Sequence, residues 1–259
     1  MLAIDFHIHS ATSFDSVMKV PTIISKCNKE RLNVLAITDH NKISDLVLKM
    51  SLKNPTIIVG EEISTDKGEI IGLFLKKEVK PGKAENVVDD VKSQEALLYL
   101  PHPFKRSRLI DCPEIVNEVD IIEIWNCRSS YEQNYKALLF SLEKGIPFGC
   151  GSDAHCAKEL GRCKLLVEDL SIKEFEKYNL IDVLKKYKYT IIGTNKNYFI
   201  YEATSQILKS FKYKSLKPLK HSLLFPIFEV LLGRSRFSKI KVEVSQGVCR
   251  KIDISDLED

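Results

Sequence analysis

The stretch Asp5-Phe6-His7-Ile8-His9 is the part of this 259-residue chain that says most about its fold. It closes an alternating, strand-like run that begins at residue 3. Side chains two residues apart on a strand point to the same face, so His7 and His9 project together. Imidazole nitrogen is a preferred ligand of Zn, Mn and Fe. The stretch therefore predicts a strand that presents a pair of metal ligands at its end.

Metal-binding types of side chain recur wherever other apolar, strand-like runs end. Five of the six histidines lie in such segments, which a chance distribution would not produce. Glu62 is expected to point inward and Glu61 outward, because adjacent residues of a strand face opposite sides. Together the segments predict a metal site built from several strand ends. Besides the first stretch they are Thr38-Asp39-His40, Gly60-Glu61-Glu62, Pro101-His102-Pro103 and Gly151-Ser152-Asp153-Ala154-His155.

Helical patterns separate the strand-like runs, which is typical of parallel βα units. The runs are nearly continuous in Val, Ile and Leu, as in strands buried on both faces of a sheet. About seven such units favour a TIM-like barrel, whose active site lies at the C-terminal strand ends. Helices are predicted at 21–32, 42–52, 84–95, 131–144 and 171–187. Strands are predicted at 3–8, 34–37, 56–60, 69–75, 96–100, 119–125, 146–150, 189–193 and 197–202.

Charge is distributed unevenly along the chain. The formal net charge is +4, and residues 204–259, with 11 Lys/Arg against 6 Asp/Glu, carry +5 of it. Residues 1–203 are near neutral, at −1. We therefore predict a barrel domain over 1–203 and a small basic extension over 204–259. The extension includes the apolar run 221–232, which is expected to pack on the barrel or on another subunit in preference to lying on a membrane surface.

Composition and motifs argue against several other classes of protein. The seven cysteines are odd in number, form no Cys-x-x-Cys pair and follow no secretory leader. We expect free thiols in a reducing, cytoplasmic compartment. No apolar stretch approaches the roughly 20 residues that cross a bilayer. The Gly-rich phosphate loops of nucleotide-binding proteins and the Gly-x-Ser-x-Gly elbow of serine hydrolases are missing from the sequence.

Six motifs follow one another along the chain: Asp5-x-His7-x-His9-Ser10, Ala36-Ile37-Thr38-Asp39-His40, Gly60-x-Glu62-Ile63-Ser64, Pro101-His102-Pro103, Glu123-Ile124-Trp125-Asn126 and Gly151-Ser152-Asp153-Ala154-His155. In this order they resemble the PHP (polymerase and histidinol phosphatase) family of metal-dependent phosphoesterases, in its stand-alone form. The resemblance spans roughly residues 1–200 and leaves the tail uncovered. It implies a distorted (β/α)7 barrel with up to three metal ions at the C-terminal ends of its strands.

The resemblance also implies which residues hold the metals, expected to be two or three ions of Zn, Mn or Fe. Glu62 would bridge two of the ions. Some family members add a His or Cys ligand after the sixth strand, where this chain offers Asn126 or Cys127. The implied ligands are His7, His9, Glu62 and Asp153 for the first ion, Glu62 and His102 for the second, and Asp15, His40 and His155 for the third.

A cluster of this kind suits the hydrolysis of phosphate esters. Two divalent ions about 3.5–4 Å apart can activate a hydroxide between them and clamp both the attacking and the leaving oxygen at phosphorus. The expected catalytic residues are Glu62, Asp153 and His155. Nearby cations would bind the phosphate oxygens, Arg more effectively than Lys because its fork makes two-point contacts. The candidate cations are Arg128, Arg162, Lys105 and Arg106.

The motifs leave the substrate open. A small phosphomonoester, a nucleotide and the end of a short RNA or DNA all fit the expected chemistry. One alternative is an exonuclease that uses the basic tail to grip phosphate backbones. The other is a non-catalytic binding or scaffold protein that the metals stabilise. In either case the tail offers a surface for assembly into an oligomer.

Overall fold

The apolar runs form the strands of one curled, mixed sheet. A computed structural model describes residues 1–49, 55–175, 179–214 and 238–256. The strands are β1 (Leu2–Ile8), β2 (Val34–His40), β3 (Thr56–Ser64), β4 (Glu69–Leu73), β5 (Leu97–Leu100), β6 (Ile121–Asn126), β7 (Phe148–Gly151), β8 (Cys163–Val167), β9 (Tyr189–Thr194), β10 (Ser238–Ser245) and β11 (Val248–Asp256). The helices are α1 (Val20–Lys29), α2 (Asp45–Lys49), α3 (Ala84–Ser93), α4 (Pro113–Val116), α5 (Tyr131–Lys144), α6 (Ile172–Phe175), α7 (Leu180–Lys186) and α8 (Tyr198–Tyr213).

The curl of the sheet brings β1 and β7 side by side. The sheet runs β11-β10-β9-β8-β1-β2-β3-β4-β5-β6-β7, with β1–β3 and β5–β7 parallel within each set. It curls until the end of β7 meets β1, where Ile8 and Ala154 form a bridge. The backbone N–H of Asp153 donates to the carbonyl of His7 at 2.8 Å. The curl therefore brings the first and last metal motifs together.

The pairing of β4 differs from the prediction that the strands belong to parallel βα units. It runs antiparallel to both neighbours, with Ser64 opposite Glu69 on the β3 side and Leu73 opposite Leu97 on the β5 side. Only residues 65–68 join β3 to β4, too few for the crossover that a parallel pair requires. The fold is thus a mixed α/β sheet curled into part of a barrel, and the expectation of seven uniform βα units is wrong at this strand.

Local capping sets the ends of α5, which coincide with the predicted bounds 131–144. The Ser130 hydroxyl accepts from the backbone N–H of Gln133, while the Gln133 side chain accepts from the backbone N–H of Ser130. At the other end Gly145 adopts a φ of 66°, the left-handed conformation that glycine tolerates best. The helix returns the chain from β6 to β7, and so fixes where Asp153 emerges.

The C-terminal part of the chain departs most from expectation. Residues 197–202 were expected to be a strand, but 198–202 form the first turn of α8, whose buried Tyr198, Glu202 and Ser205 recur at helical spacing. The predicted boundary at 203 falls inside this helix. The strands β10 and β11 were not foreseen, and they extend the sheet through antiparallel pairing of β10 with β9. The apolar run 221–232 lies outside the described residues.

Two segments of the C-terminal half, 163–167 and 171–187, also differ from the predicted elements. The predicted helix 171–187 corresponds to α6 and α7, while β8, absent from the predicted strands, pairs antiparallel with β1. Among the helices of the described residues, none combines the length and apolar character needed to cross a membrane.

Candidate metal centre

The Glu62 carboxylate lies at the centre of the predicted site. It is fully buried at the end of β3, and four imidazole nitrogens approach it within 3.4 Å. Burial by itself raises the pKa of Glu62, but His40 and His7 outweigh this effect and hold the pKa well below its usual range. The carboxylate is therefore ionised and faces nitrogens on several sides. The distances are 2.9 Å from His102 Nε2, 3.1 Å from His40 Nδ1, 3.3 Å from His9 Nε2 and 3.4 Å from His7 Nε2.

His7 and His9 project from β1 toward Asp153, as the first motif predicts. Their Nε2 atoms are 3.0 Å apart, and both face Asp153 Oδ1, at 3.7 Å and 3.3 Å. Burial, with the adjacent His155, lowers the pKa of His9 to about 3, so this ring is neutral and has a free electron pair. Lone pairs of nitrogen and carboxylate oxygen converging in a buried space fit a divalent cation.

Asp15 joins the cluster from the loop after β1. Its Oδ2 lies 3.4 Å from His40 Nε2, and its Oδ1 lies 3.3 Å from His155 Nε2. Both Asp15 Oδ1 and His40 Nδ1 are buried and lack a hydrogen bond of good geometry. A buried polar atom without a hydrogen-bond partner is costly unless a ligand satisfies it, so these atoms also fit a bound metal ion.

The potential ligand atoms form four overlapping groups, here called the metal-type groups. All ligand atoms of a group lie within 4.8 Å of one another. They regroup the implied sets: His7 also faces His102, and His9 also faces Asp15. One group contains a residue absent from the predicted set, Glu69. The groups are His9, Asp15, His40 and His155; His7, His9 and Asp153; His7, Glu62 and His102; and His40, Glu62 and Glu69.

Glu69 reaches the site because β4 folds back along β3. Its carboxylate is 3.7 Å from His40 Nδ1 and 3.8 Å from His102 Nε2. Burial raises the pKa of Glu69, and the negative charge of Glu62 adds to the shift. No sequence motif marks this residue. The short connection 65–68 was the available signal, because a hairpin there places the start of β4 beside the end of β3.

Glu123 orients two of the histidines and was missed as a site residue. Its Oε1 is 3.2 Å from His7 Nδ1 and accepts from the hydroxyl of Tyr99 at 3.1 Å. Its Oε2 accepts from the backbone N–H of His102 at 2.8 Å. A carboxylate at Nδ1 holds a proton on that nitrogen and leaves Nε2 free to bind a metal. The signal was present in the motif that ends at Asn126.

His9 is oriented through a serine. Its Nδ1 lies 3.0 Å from the Ser13 hydroxyl, which donates to Asp39 Oδ1 at 2.9 Å. Asp39 therefore acts on the histidine indirectly. Asp5 accepts the backbone N–H groups of His7 and Ser152 and so ties β1 to the residue that follows β7.

Neither Asn126 nor Cys127 joins the metal-type groups. The Asn126 amide donates to Glu123 Oε2 at 3.0 Å and to Asp153 Oδ2 at 3.3 Å, so it positions carboxylates. The side-chain oxygen Oδ1 of Asn126 accepts from the backbone N–H of Arg128 at 2.8 Å. The Cys127 thiol is buried in the apolar core, and burial raises its pKa well above the usual value.

Glu61 is buried, contrary to its expected place at the surface. Its Oε2 accepts the backbone N–H of Val79 at 2.8 Å, on the side of β3 opposite the histidines. Burial raises the pKa of Glu61 to about 7. The predicted alternation of Glu61 and Glu62 holds, but both sides of β3 are covered.

A cleft of about 120 Å³ opens over the metal-type groups. Lys105 and Arg106 line it, as predicted, and Arg106 is largely exposed. Helix α8, which contains the predicted boundary at 203, also contributes to the wall. Its lining residues are Glu202, Ser205, Gln206 and Lys209.

Arg128 also borders the cleft, but its guanidinium is already engaged. Only 3% of the residue is exposed. Its Nε donates to Glu159 Oε1 at 2.6 Å and its Nη2 donates to the Ser205 hydroxyl at 2.7 Å. Glu159 Oε2 in turn accepts the backbone N–H of His155 at 2.8 Å. Arg128 is therefore placed to position the loop of His155.

Arg162 does not reach the cleft. Its guanidinium donates to the backbone carbonyls of Thr194 and Lys196 and lies 4.7 Å above the ring of Tyr201. The side chain joins the end of β9 to α8, so the structure gives it no contact with the metal-type groups.

Gly151 leaves no room for a side chain at the heart of the site. A Cβ there would overlap Glu123 Oε1 and the Cβ of His7. We expect Gly151→Ala to lower the melting temperature by about 5 °C, because overpacking a core costs about 1–3 kcal/mol. Metal affinity should fall as His7 is displaced. Gly82→Ala, where a Cβ meets nothing within 4 Å, is the matched control in thermal melts. Equal melting temperatures for both variants would contradict the packing described.

Known proteins resemble the chain in sequence and in fold. A family model described as "PHP domain" matches residues 5–198. An uncharacterized protein of Methanocaldococcus jannaschii is 34% identical over 184 residues, which cover 67% of this chain and 73% of that protein.

Solved structures resemble the chain less closely. An amidohydrolase from Chromobacterium violaceum, solved with bound sulfate and no metal, has a TM-score of 0.50 and 18% identity, covering 65% of this chain and 92% of its own. A two-domain protein from Bacteroides vulgatus, described as containing a predicted PHP-like metal-dependent phosphoesterase, has a TM-score of 0.48 and 17% identity. The alignment covers 96% of this chain but 66% of that protein, so the chain spans about two thirds of its length.

The resemblance inferred from the motifs is thereby confirmed. The family model extends over well more than half of the sequence and includes every residue of the four metal-type groups. On this match the chain belongs to the PHP domain family.

Proposed function

We propose that this protein hydrolyses small phosphomonoesters or nucleotides with two or three divalent metal ions. The observation that carries the proposal is the Glu62 carboxylate with four imidazole nitrogens within 3.4 Å, at the floor of a cleft with cations on its rim. Metal ions bound there would neutralise phosphate charge and activate a water. The donor set of imidazole and carboxylate suits Zn, Mn and Fe.

The proposal distinguishes the side chains that would bind metal from those that orient them. His7, His9, Glu62 and Asp153 would hold the metals, with Glu62 shared between two ions. Glu123 keeps the proton on His7 Nδ1, and the Ser13 hydroxyl faces His9 Nδ1, so both Nε2 atoms point inward. Such orienting contacts strengthen metal binding because the ligands need no rearrangement.

Substrate binding falls to the residues of the cleft rim. Lys105 and Arg106 are the predicted cations with side chains near the opening, and they would contact phosphate oxygens. Phe14 stacks on His40 with 4.7 Å between ring centroids and would limit the access of water from that side. His155 and Asp15 stand on the same side, and they remain the proposed ligands of a third ion.

The size of the cleft favours a small substrate. A volume of about 120 Å³ admits a phosphoryl group and part of its ester, whereas pockets for whole drug-sized molecules have about 300–1,000 Å³. The structural neighbour from Chromobacterium violaceum was solved with sulfate, an oxyanion shaped like phosphate. The volume of the cleft thus supports a small phosphate ester as the substrate.

A panel of esters tests the proposal. Protein reconstituted with Mn, Zn or Fe would be assayed on p-nitrophenyl phosphate, bis-p-nitrophenyl phosphate, mononucleotides and short oligonucleotides. We expect the monoesters and nucleotides to be hydrolysed faster than the oligonucleotides, and a chelator to abolish turnover. Preference for oligonucleotides would favour the exonuclease alternative. Failure to hydrolyse any ester with metal bound would favour the non-catalytic alternative.

A further inference from the structure

Helix α8 presents a charged face to the cleft. Glu202, Ser205 and Lys209 line the opening at helical spacing, and Lys212 follows one turn later. The family model ends at residue 198, where this helix begins. The face over the metal-type groups is therefore supplied by a segment beyond the family match.

Glu202 gathers three cations at the edge of the cleft. Its Oε2 is 3.2 Å from Lys105 Nζ and 3.8 Å from Arg128 Nη1, and its Oε1 is 3.9 Å from Arg106 Nη2. The residue is only 8% exposed. Burial tends to raise the pKa of Glu202, but Lys105 and the two arginines lower it to about 2. Glu202 is thus a carboxylate anion at any ordinary pH.

The other end of α8 is held on the loop that carries Asp15. Lys212 Nζ donates to the backbone carbonyls of Ser13 and Ser16, at 2.6 Å and 2.7 Å. Lys209 Nζ lies 4.2 Å from the centre of the Phe14 ring. The helix is therefore fixed at both ends of the cleft, and Glu202 is held among the cations.

A carboxylate and a phosphate compete for the same partners. Both are oxyanions that bind Lys and Arg through charge-assisted hydrogen bonds, and a phosphate dianion carries more charge and one more oxygen. Lys105 and Arg106 are the cations to which the proposed function assigns the substrate phosphate. In the structure Lys105 Nζ donates to Glu202 Oε2 at 3.2 Å, and the largely exposed guanidinium of Arg106 lies 3.9 Å from Glu202 Oε1.

We propose that Glu202 is an internal competitor of the substrate, which a phosphate group must displace from Lys105 and Arg106 in order to bind. Resting on the proposed function, this inference assigns Glu202 a role in selecting substrates. A singly charged anion would displace the Glu202 carboxylate from the cations poorly. A phosphate dianion would displace it readily, because its second charge strengthens the contacts with Lys105 and Arg106. Arg128 keeps its contact with Glu159 throughout, so the loop of His155 stays in place.

Glu202→Gln tests the inference, because it removes the charge and keeps the shape. Isothermal titration of inorganic phosphate into metal-free protein measures the cation subsite without hydrolysis. We expect the variant to bind phosphate about tenfold more tightly than the wild type. This factor follows if Glu202 holds the cations in about nine-tenths of the wild-type molecules, which leaves about one-tenth able to bind phosphate. In metal-loaded enzyme KM for p-nitrophenyl phosphate should fall by a similar factor.

Two variants serve as controls. Thr204→Ala changes an exposed residue of the same helix, whose hydroxyl donates to the carbonyl of Ile200 and does not line the cleft, and should leave phosphate affinity unchanged. Glu202→Asp keeps the negative charge and should bind phosphate nearly as weakly as the wild type. Unchanged or weaker phosphate binding by Glu202→Gln, in a protein with a wild-type melting curve and with wild-type hydrolysis observed, overturns this inference alone. Absence of hydrolysis by every variant overturns the proposed function itself.

Discussion

Replacing Glu62 by Gln is expected to lower kcat/KM by about 100-fold or more, because a neutral amide is a poorer ligand than a carboxylate for the cations that Glu62 would hold. The substitution preserves the volume of the side chain at the end of β3, so the fold should survive. Each of four histidines would lose a charged partner within 3.4 Å. Initial rates on p-nitrophenyl phosphate, with circular dichroism as the test of folding, measure the effect.

Glu61→Gln is the matched control, one residue away on the same strand. Its carboxylate accepts the backbone N–H of Val79 on the opposite face of β3, and a glutamine oxygen can do the same. Activity should stay close to that of the wild type. Greater damage from Glu61→Gln than from Glu62→Gln would mean that the register of β3 assigned to the site is wrong.

Glu123→Gln is expected to weaken metal binding by about 10- to 100-fold, the usual effect of removing a carboxylate that orients a histidine ligand. The carboxylate faces His7 Nδ1 and accepts the backbone N–H of His102, so two predicted ligands lose their support. Competition with a fluorescent chelator measures the affinity directly. The fold should persist, since an amide fills nearly the same space.

Tyr99→Phe provides the comparison for Glu123. It removes one hydrogen bond to the same carboxylate and leaves the charge beside His7 unchanged. Metal affinity should therefore fall far less than in Glu123→Gln. If both variants bound metal as tightly as the wild type, Glu123 would be part of the core packing and would not control the histidines.

The side chains that the sequence singled out as candidate ligands lie together in the structure because they follow strand ends. His7 and His9 share a face of β1 by the two-residue repeat, and the curl of the sheet brings Asp153 to them. Glu69 was missed since its place depends on the antiparallel return of β4, which the apolar pattern does not distinguish from a parallel strand.

Contacts between distant segments account for the other differences. Arg128 looked free to bind phosphate, but its partners Glu159 and Ser205 lie 31 and 77 residues further along the chain. The apolar and aromatic pattern of residues 197–202 favours a strand. The position of Glu202 beside Lys105 follows instead from the packing of α8 over the cleft. Local patterns contain no information about such partners.

The metal content of the purified protein tests most directly whether the side chains around Glu62 form a metal centre. Inductively coupled plasma mass spectrometry on dialysed protein should find about two to three equivalents of Zn, Mn or Fe per chain, as a multinuclear hydrolytic site requires. Chelation should remove both the metal and the hydrolysis of p-nitrophenyl phosphate, and added metal should restore them. Full hydrolytic activity in protein free of divalent metal would contradict the central claim.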